Sequence, residues 1–282
     1  MTKAEQTYPE AAFAHHITMV AKPRPLSWAD AGLHAAWIGH STVLLKIDGF
    51  TVLTDPVLGK RCGVRVGPVT VGLRRLAAPA LALSELPHID LILLSHAHMD
   101  HFDIATLRAL ENPYTNVITA KATSDLLRVK RYASVREVGW DERVRVGPLN
   151  ITGLRVRHWG ARVRTDTFRG YNGYLIETDK RRIVFGGDTA DTRDFKVVKS
   201  SRPVDLAIMP IGAYNPWIYA HCTPEQALRM GEDAGAERFL PVHHQTFQLS
   251  REPLLEPIER FLESAGSDRV ITQHIGDEAS LN

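Results

Sequence analysis

Leu91-Ile92-Leu93-Leu94-Ser95-His96-Ala97-His98-Met99-Asp100-His101 is the stretch on which the reading of this chain turns. Asp90–Leu94 reads as a short strand, aliphatic on both faces and therefore covered on both. The polar residues begin where the strand ends, and strand ends are where layered α/β proteins place ligand sites. Residues two apart in an extended segment face the same way, so the His96 and His98 imidazoles can converge. The next turn can fold Asp100 and His101 back toward them. Three neutral imidazoles and a carboxylate suit a borderline cation such as zinc. The competing explanation is chance clustering among 13 histidines. By composition, H-x-H-x-D-H is expected on the order of 10⁻³ times in such a length, which disfavours chance.

A centre with two cations needs further donors from other strand ends. His158 follows the apolar run Ile151–Val156. Asp188 follows Ile183–Phe185, with Gly186-Gly187 permitting close backbone approach. His243 follows Arg238–Val242. Each is weak alone, because a single His past a strand is more often structural and a single Asp there is often a helix cap. Their shared placement raises all three. Asp55 ends the run Thr51–Thr54 near the same edge, as an acceptor for a ligand imidazole or as a turn residue before Pro56.

The remaining pattern is strand-rich with helices interspersed. Val43–Ile47 and Thr51–Thr54 read as strands joined by a turn at Asp48-Gly49. Val117–Thr119, Val144–Val146, Tyr174–Ile176 and Asp205–Met209 are further strands, and Ala105–Leu110 and Thr123–Val129 read as helices. A helix after His221 has a strong start, with Thr223 as cap, Pro224 in the first turn and Gln226 completing a capping box. A last helix is expected over Leu254–Ala265, ended by Gly266. The fold class is α+β or layered α/β, with residues 1–33 an extension and 34–282 one domain.

Composition bounds the rest. The chain has 282 residues, 44% hydrophobic and 23% charged, with net charge +2. Such a length builds a core without crosslinks, and that charge demands neither nucleic acid nor an acidic membrane. The two cysteines, Cys62 and Cys222, form no disulfide framework and fit a reducing compartment. No apolar run reaches the roughly 20 residues of a membrane span, and Met1–Val20 lacks a signal-peptide core. The expected location is the cytoplasm, with room for peripheral membrane contact.

H-x-H-x-D-H after a strand, with the later lone His, Gly-Gly-Asp-Thr and a final His, resembles the metallo-β-lactamase superfamily. Residues 34–282 resemble more narrowly the branch containing N-acylphosphatidylethanolamine-hydrolysing phospholipase D. The matching segments include Trp37–Val43, Leu53-Thr54-Asp55-Pro56, Leu94–Asp103, His158-Trp159, Gly187-Asp188-Thr189, Pro210–Tyr214, His221 with Pro224-Glu225, and His243 with Thr246-Phe247. His244 stands where the phospholipase-like pattern has Trp. The resemblance implies a four-layer αββα sandwich holding two divalent ions at one edge, zinc by default and manganese or iron as alternatives. It implies that His96, His98 and His158 hold the first ion, that Asp100, His101 and His243 hold the second, and that Asp188 bridges them. It implies that His221 lines the active site. His40 and Tyr214 are expected beside it as substrate contacts.

The chemistry expected of such a pair is hydrolysis by a shared hydroxide whose pKa is lowered toward neutrality. Asp100 would orient the nucleophile, and His221 would bind substrate or protonate the leaving group. A phosphodiesterase acting on a small or lipid-like ester, phospholipase D-like, leads. A lactonase or other carboxyl-derivative hydrolase is second, and a metal-binding protein without turnover is third. A nucleic-acid substrate is not expected. Lys60, Arg61, Arg65, Arg74 and Arg75 in residues 57–83, and Arg155, Arg157, Arg162, Arg164 and Arg169 in 155–169, suit an anionic ester or form a solvated basic face. Trp159, Trp217, Ile218 and Tyr219 suit an apolar wall, although core packing is the commoner role of such residues.

Overall fold

The computed structural model describes residues 22–67, 69–127 and 131–281. Most of the expected extension, residues 1–21, lies outside the described residues. The part described is held to the body: the Trp28 indole donates to Glu278 at 2.8 Å, and Lys46 donates to the Trp28 carbonyl at 3.0 Å.

Two sheets face each other. The first has seven strands: β1 (Leu33–Gly39), β2 (Thr42–Ile47), β3 (Phe50–Thr54), β6 (Leu91–Leu93), β7 (Asn116–Ala120), β8 (Ser134–Val138) and β15 (Glu278–Leu281), in the order β15-β1-β2-β3-β6-β7-β8. The second has six: β9 (Arg143–Val146), β10 (Leu149–Leu154), β11 (Gly173–Glu177), β12 (Arg182–Phe185), β13 (Leu206–Pro210) and β14 (Phe239–Val242), in the order β14-β13-β12-β11-β10-β9. β4 (Arg61–Val66) and β5 (Val69–Arg74) form, among the described residues, a separate two-stranded ribbon. Among the described residues three α-helices follow in chain order: α1 (Ile104–Ala109), α2 (Pro224–Asp233) and α3 (Glu256–Ala265).

Side-chain alternation sorts the residues of β12, β13 and β14 between two cores. In β12, Ile183 and Phe185 join the cluster between the sheets, whereas Val184 joins the cluster under α2 and α3. β13 repeats this with Leu206 and Ile208 against Ala207 and Met209, and β14 with Leu240 and Val242 against Phe239. A strand buried on both faces is therefore apolar without interruption. Leu107 of α1 packs on the inter-sheet cluster as well. The result is the expected αββα layering. Pro241 sits in β14 without penalty because that strand is an edge of its sheet.

The local signals behave as their chemistry demands. Asp48 (φ 47°) and Gly49 (φ 88°) make the tight β2–β3 turn. Thr223 and Gln226 form the reciprocal cap of α2, and Gly266 ends α3. The helix expected over Thr123–Val129 is instead a short 3-10 turn, Ser124–Leu126, with residues 128–130 outside the described set. Glu137 accepts from the backbone of Ala122, Thr123 and Ser124, which holds the start of that turn. β1, β4, β5, β8 and β15 are strands beyond those expected from the sequence pattern.

Topology explains why one edge collects donors. β1, β3 and β6 point the same way, since β1 and β3 are each antiparallel to β2 and β3 is parallel to β6. β10, β12 and β14 likewise share a direction. The loops leaving these six strands carry His40, Asp55, His96–His101, His158, Asp188 and His243. Among the described residues, no helix is long and apolar enough to cross a membrane.

Candidate metal centre

The strand ends bring every expected ligand into one cluster. His96, His98, His158 and Asp188 have donor atoms all within 4.8 Å of one another, and so do His40, Asp100, His101 and His243. In the first group His96 Nε2 and His158 Nε2 lie 2.9 and 3.2 Å from His98 Nδ1. In the second, His101 Nε2 and His243 Nε2 each lie 3.5 Å from Asp100 Oδ2.

Asp188 reaches members of both. Its Oδ2 stands 3.1 Å from Nε2 of His101 and of His243, 3.7 Å from His158 Nε2 and 3.8 Å from His96 Nε2. Gly187 makes that placement possible: it has φ 57°, and a Cβ there would stand 2.5 Å from the Asn172 carbonyl oxygen.

These contacts are not an ordinary hydrogen-bond network. Both Asp188 oxygens and Nε2 of both His101 and His243 are buried without a hydrogen-bond partner. Buried polar atoms in native proteins are rarely left so, and an unmade bond costs about 1–3 kcal/mol. Four such atoms converging is what a cation would relieve. Zinc–nitrogen bonds near 2.0–2.1 Å imply tetrahedral ligand separations of roughly 3.3 Å, and the distances here bracket that figure. The residues present therefore fit divalent cations.

The orientation of the rings is built in. Asp55, left-handed at φ 32°, ends β3 with both carboxylate oxygens in use. Oδ1 accepts from Ser95 N at 2.7 Å, and Oδ2 accepts from Ser95 Oγ at 2.5 Å and His101 Nδ1 at 2.7 Å. Of its two readings, the contacts match that of an acceptor for an imidazole, that of His101. Ser95 Oγ lies 2.8 Å from His96 Nδ1, and the Ala220 carbonyl accepts from His158 Nδ1 at 2.9 Å. Neither Ser95 nor Ala220 was legible as a partner: one is an unremarkable residue before the motif, the other a backbone oxygen 62 residues away.

Electrostatics follow from burial. It pushes the imidazoles of His40 and His158 down to about 3 and that of His221 to about 4, so all three are neutral. Burial opposes charge on His243 too, but Asp188 and Asp100 outweigh it and hold the ring at about 9. His101 is likewise held well above its ordinary value against burial, chiefly by Asp188 and Asp100. Burial also works against an ionised Asp188, and the charges on His101 and His243 more than offset this.

The other expected residues fall in different places. His221 lines the cluster, its unpartnered Nδ1 3.9 Å from Asp188 Oδ2. His40 is buried, with Nε2 3.0 Å from Asp100 Oδ2, which places it among the donors and not at an open mouth. The Tyr214 hydroxyl donates to Glu256 Oε1 at 2.7 Å, which ties it to α3. His244 stacks on Trp37 with ring centroids 4.5 Å apart, so an imidazole fills a slot suited to an aromatic ring.

Most of the basic residues have internal partners. Arg155 pairs with Asp141, Arg162 donates to the Ala97 and Phe102 carbonyls, and Arg169 bonds Asp125 and Asp166. The apolar-wall candidates are the opposite case. Trp159, Trp217, Ile218 and Tyr219 are exposed, which core packing would not allow. Trp159 stacks on His158 at 4.6 Å, and the Trp217–Tyr219 segment directly precedes the carbonyl that holds His158.

The family model described as Beta-lactamase superfamily domain matches residues 51–244. The chain is 35% identical over 276 residues to an uncharacterized protein of Mycobacterium tuberculosis, covering 93% of this chain and 73% of that one. It is 29% identical over 253 residues to N-acyl-phosphatidylethanolamine-hydrolyzing phospholipase D 1 of Caenorhabditis elegans, covering 83% of this chain and 70% of that one. Among solved structures, an isothiocyanate hydrolase from Delia radicum gut bacteria superposes with a TM-score of 0.71 at 19% identity, covering 88% and 99% of the two chains.

Proposed function

The chain belongs to the metallo-β-lactamase superfamily, in the branch of the N-acylphosphatidylethanolamine-hydrolysing phospholipases D, and from that premise we propose that it is a binuclear metal-dependent hydrolase acting as a phosphodiesterase on an amphiphilic ester. The observation that carries the reading is Asp188 Oδ2, within 3.9 Å of a nitrogen from each of five imidazoles and shared between both donor sets.

His96, His98 and His158 would hold one ion, Asp100, His101 and His243 the other, and Asp188 would bridge them. When bound, two divalent ions supply Lewis acidity and lower the pKa of water toward neutrality. Asp100 would orient the attacking water, itself held by the His40 ring. His221, neutral because it is buried, would contact the substrate as a hydrogen-bonding partner. The exposed ring of Trp159 and the Trp217–Tyr219 segment would take the apolar part of the substrate, next to the ligand His158. This apolar rim favours an amphiphile over a small polar ester. The phospholipase D relative, named for hydrolysing N-acyl-phosphatidylethanolamine, supports a phosphodiester.

The deciding experiment is metal analysis of purified protein followed by parallel assays on bis(p-nitrophenyl) phosphate, N-acylphosphatidylethanolamine and simple lactones. Close to two ions per chain and phosphodiester turnover are expected, with Asp188→Ala losing at least one ion and nearly all activity. Fewer than two ions under ample metal would overturn the binuclear reading. Lactone turnover without phosphodiester turnover would move the reaction from phosphorus to carbon, and two ions without turnover on any substrate would leave a binding protein.

A further inference from the structure

The β4–β5 hairpin is sorted by face. Its register sets Cys62 opposite Leu73, Val64 opposite Val71 and Val66 opposite Val69, while Arg61 faces Arg74, Gly63 faces Gly72 and Arg65 faces Thr70. Directly opposed residues of an antiparallel pair share a face, and successive pairs alternate. One face is therefore wholly apolar, and the other carries three arginines, a threonine and two glycines. Val64, Val66, Val69, Val71 and Leu73 are 43–62% exposed.

Nothing among the described residues covers that apolar face. The hairpin is anchored at its base, where Cys62 packs with Val57 and Phe247 and where Arg75 donates to the Val57 and Gly59 carbonyls. The Phe247 ring lies 5.2 Å from that of His40, so the hairpin rises from the rim of the donor cluster. An isolated two-stranded ribbon is marginal in water, and a contiguous exposed apolar face marks a contact surface.

Charge identifies the occupant. From Pro56 to Ser84 the chain has no acid, while Lys60, Arg61, Arg65, Arg74 and Arg75 are basic. A second copy of the chain would bring two such sets together with no acid of the segment between them. A lipid surface takes both features at once, with aliphatic side chains at the acyl boundary and long basic side chains reaching to phosphates. We propose that the β4–β5 hairpin docks the protein on an anionic lipid surface, inserting Val64, Val66, Val69, Val71 and Leu73 and engaging phosphates with Arg61, Arg65 and Arg74. This goes beyond the hydrolase reading and is tested without turnover, so either can fail alone.

The test is co-sedimentation of the full, metal-loaded chain with phosphatidylcholine vesicles containing or lacking phosphatidylglycerol. Binding to the anionic vesicles is expected, weakening as salt rises. Arg61→Gln with Arg65→Gln should weaken it by roughly tenfold or more. Val64→Asp with Val71→Asp should weaken it by at least about tenfold, with the thermal midpoint unchanged. Both native thiols are buried, so Val69→Cys offers one accessible site for an environment-sensitive dye, whose emission should shift to the blue with anionic vesicles. Absence of sedimentation, an unshifted dye, or wild-type binding by the double aspartate variant overturns the proposal. A dimer that the aspartates dissociate, with no vesicle binding, assigns the face to a second copy and also overturns it. Loss of activity without any vesicle binding makes the hairpin a flap over bound substrate, and the proposal falls.

Discussion

Asp55 Oδ2 accepts a hydrogen bond from His101 Nδ1 at 2.7 Å, and both residues are completely buried. The contact orients the ring: Nδ1 donates to Asp55, and Nε2 faces Asp188 Oδ2 3.1 Å away. Asp55→Asn keeps the shape but puts an amide where a carboxylate accepted from Ser95 and His101. Metal affinity should fall by about 10–100-fold, the usual cost of losing a partner behind a ligand imidazole. Competition with a chromophoric chelator measures it, and an unchanged affinity would show that ring orientation is set elsewhere.

Removing the metals should expose a bell-shaped stability profile. His40 and His158 at about 3 and His221 at about 4 lie below the ordinary imidazole value of 6.5. Their contribution is present above 6.5 and lost as pH falls toward 4, because the unfolded chain takes up protons that the folded one refuses. His243, held at about 9, behaves oppositely: its contribution is present below 6.5 and lost as pH rises through 9. Chelator-treated protein should be most stable near pH 6.5, each group changing stability by at most about 1.4 kcal/mol per pH unit. Added zinc, which requires deprotonated imidazoles, should move the maximum to higher pH. Urea midpoints from about pH 4 to 9 test this, and metal-free stability still rising at pH 9 would contradict it.

What the sequence disclosed, and what it hid, has a physical pattern. The metal motif was legible because its donors lie within six residues and its strand is apolar without interruption. His158, Asp188 and His243 were legible only as members of a set, since topology, not local pattern, brings β10, β12 and β14 to one edge. Asp100's contact with His40 was hidden for the same reason: 60 residues separate them. β4 and β5 do carry the strand period, an apolar residue at every second position, but the arginines between them draw the reading toward a solvated basic face. Tyr214 was placed beside the substrate by its motif alone, and its hydroxyl belongs to Glu256.

Gly187 has a role that substitution should reveal. At φ 57° an L side chain is strained, and a Cβ would also stand 2.5 Å from the Asn172 carbonyl and 3.0 Å from Ser95 Cβ. Gly187→Ala must move the backbone that presents Asp188. A stability loss of about 1–3 kcal/mol is expected, with reduced metal content beyond what unfolding explains. Thermal melts with metal analysis of the folded fraction check both, and wild-type metal content in a destabilised variant would free Asp188 from dependence on this glycine.

His221 separates binding from proton transfer. Its ring is buried and neutral, with Nδ1 unpartnered near Asp188 and the exposed Trp217–Tyr219 segment just before it. A general acid must carry a proton at working pH, and its loss lowers kcat by about 10²–10⁴. A neutral contact residue instead shifts KM and kcat/KM while leaving the acid limb of the pH profile in place. His221→Ala should therefore raise KM, lower kcat by less than about 10², and leave that limb unmoved at full metal loading. A larger fall in kcat with loss of one limb would assign proton donation to His221. A change in kcat/KM below roughly threefold at intact metal content would remove it from the site.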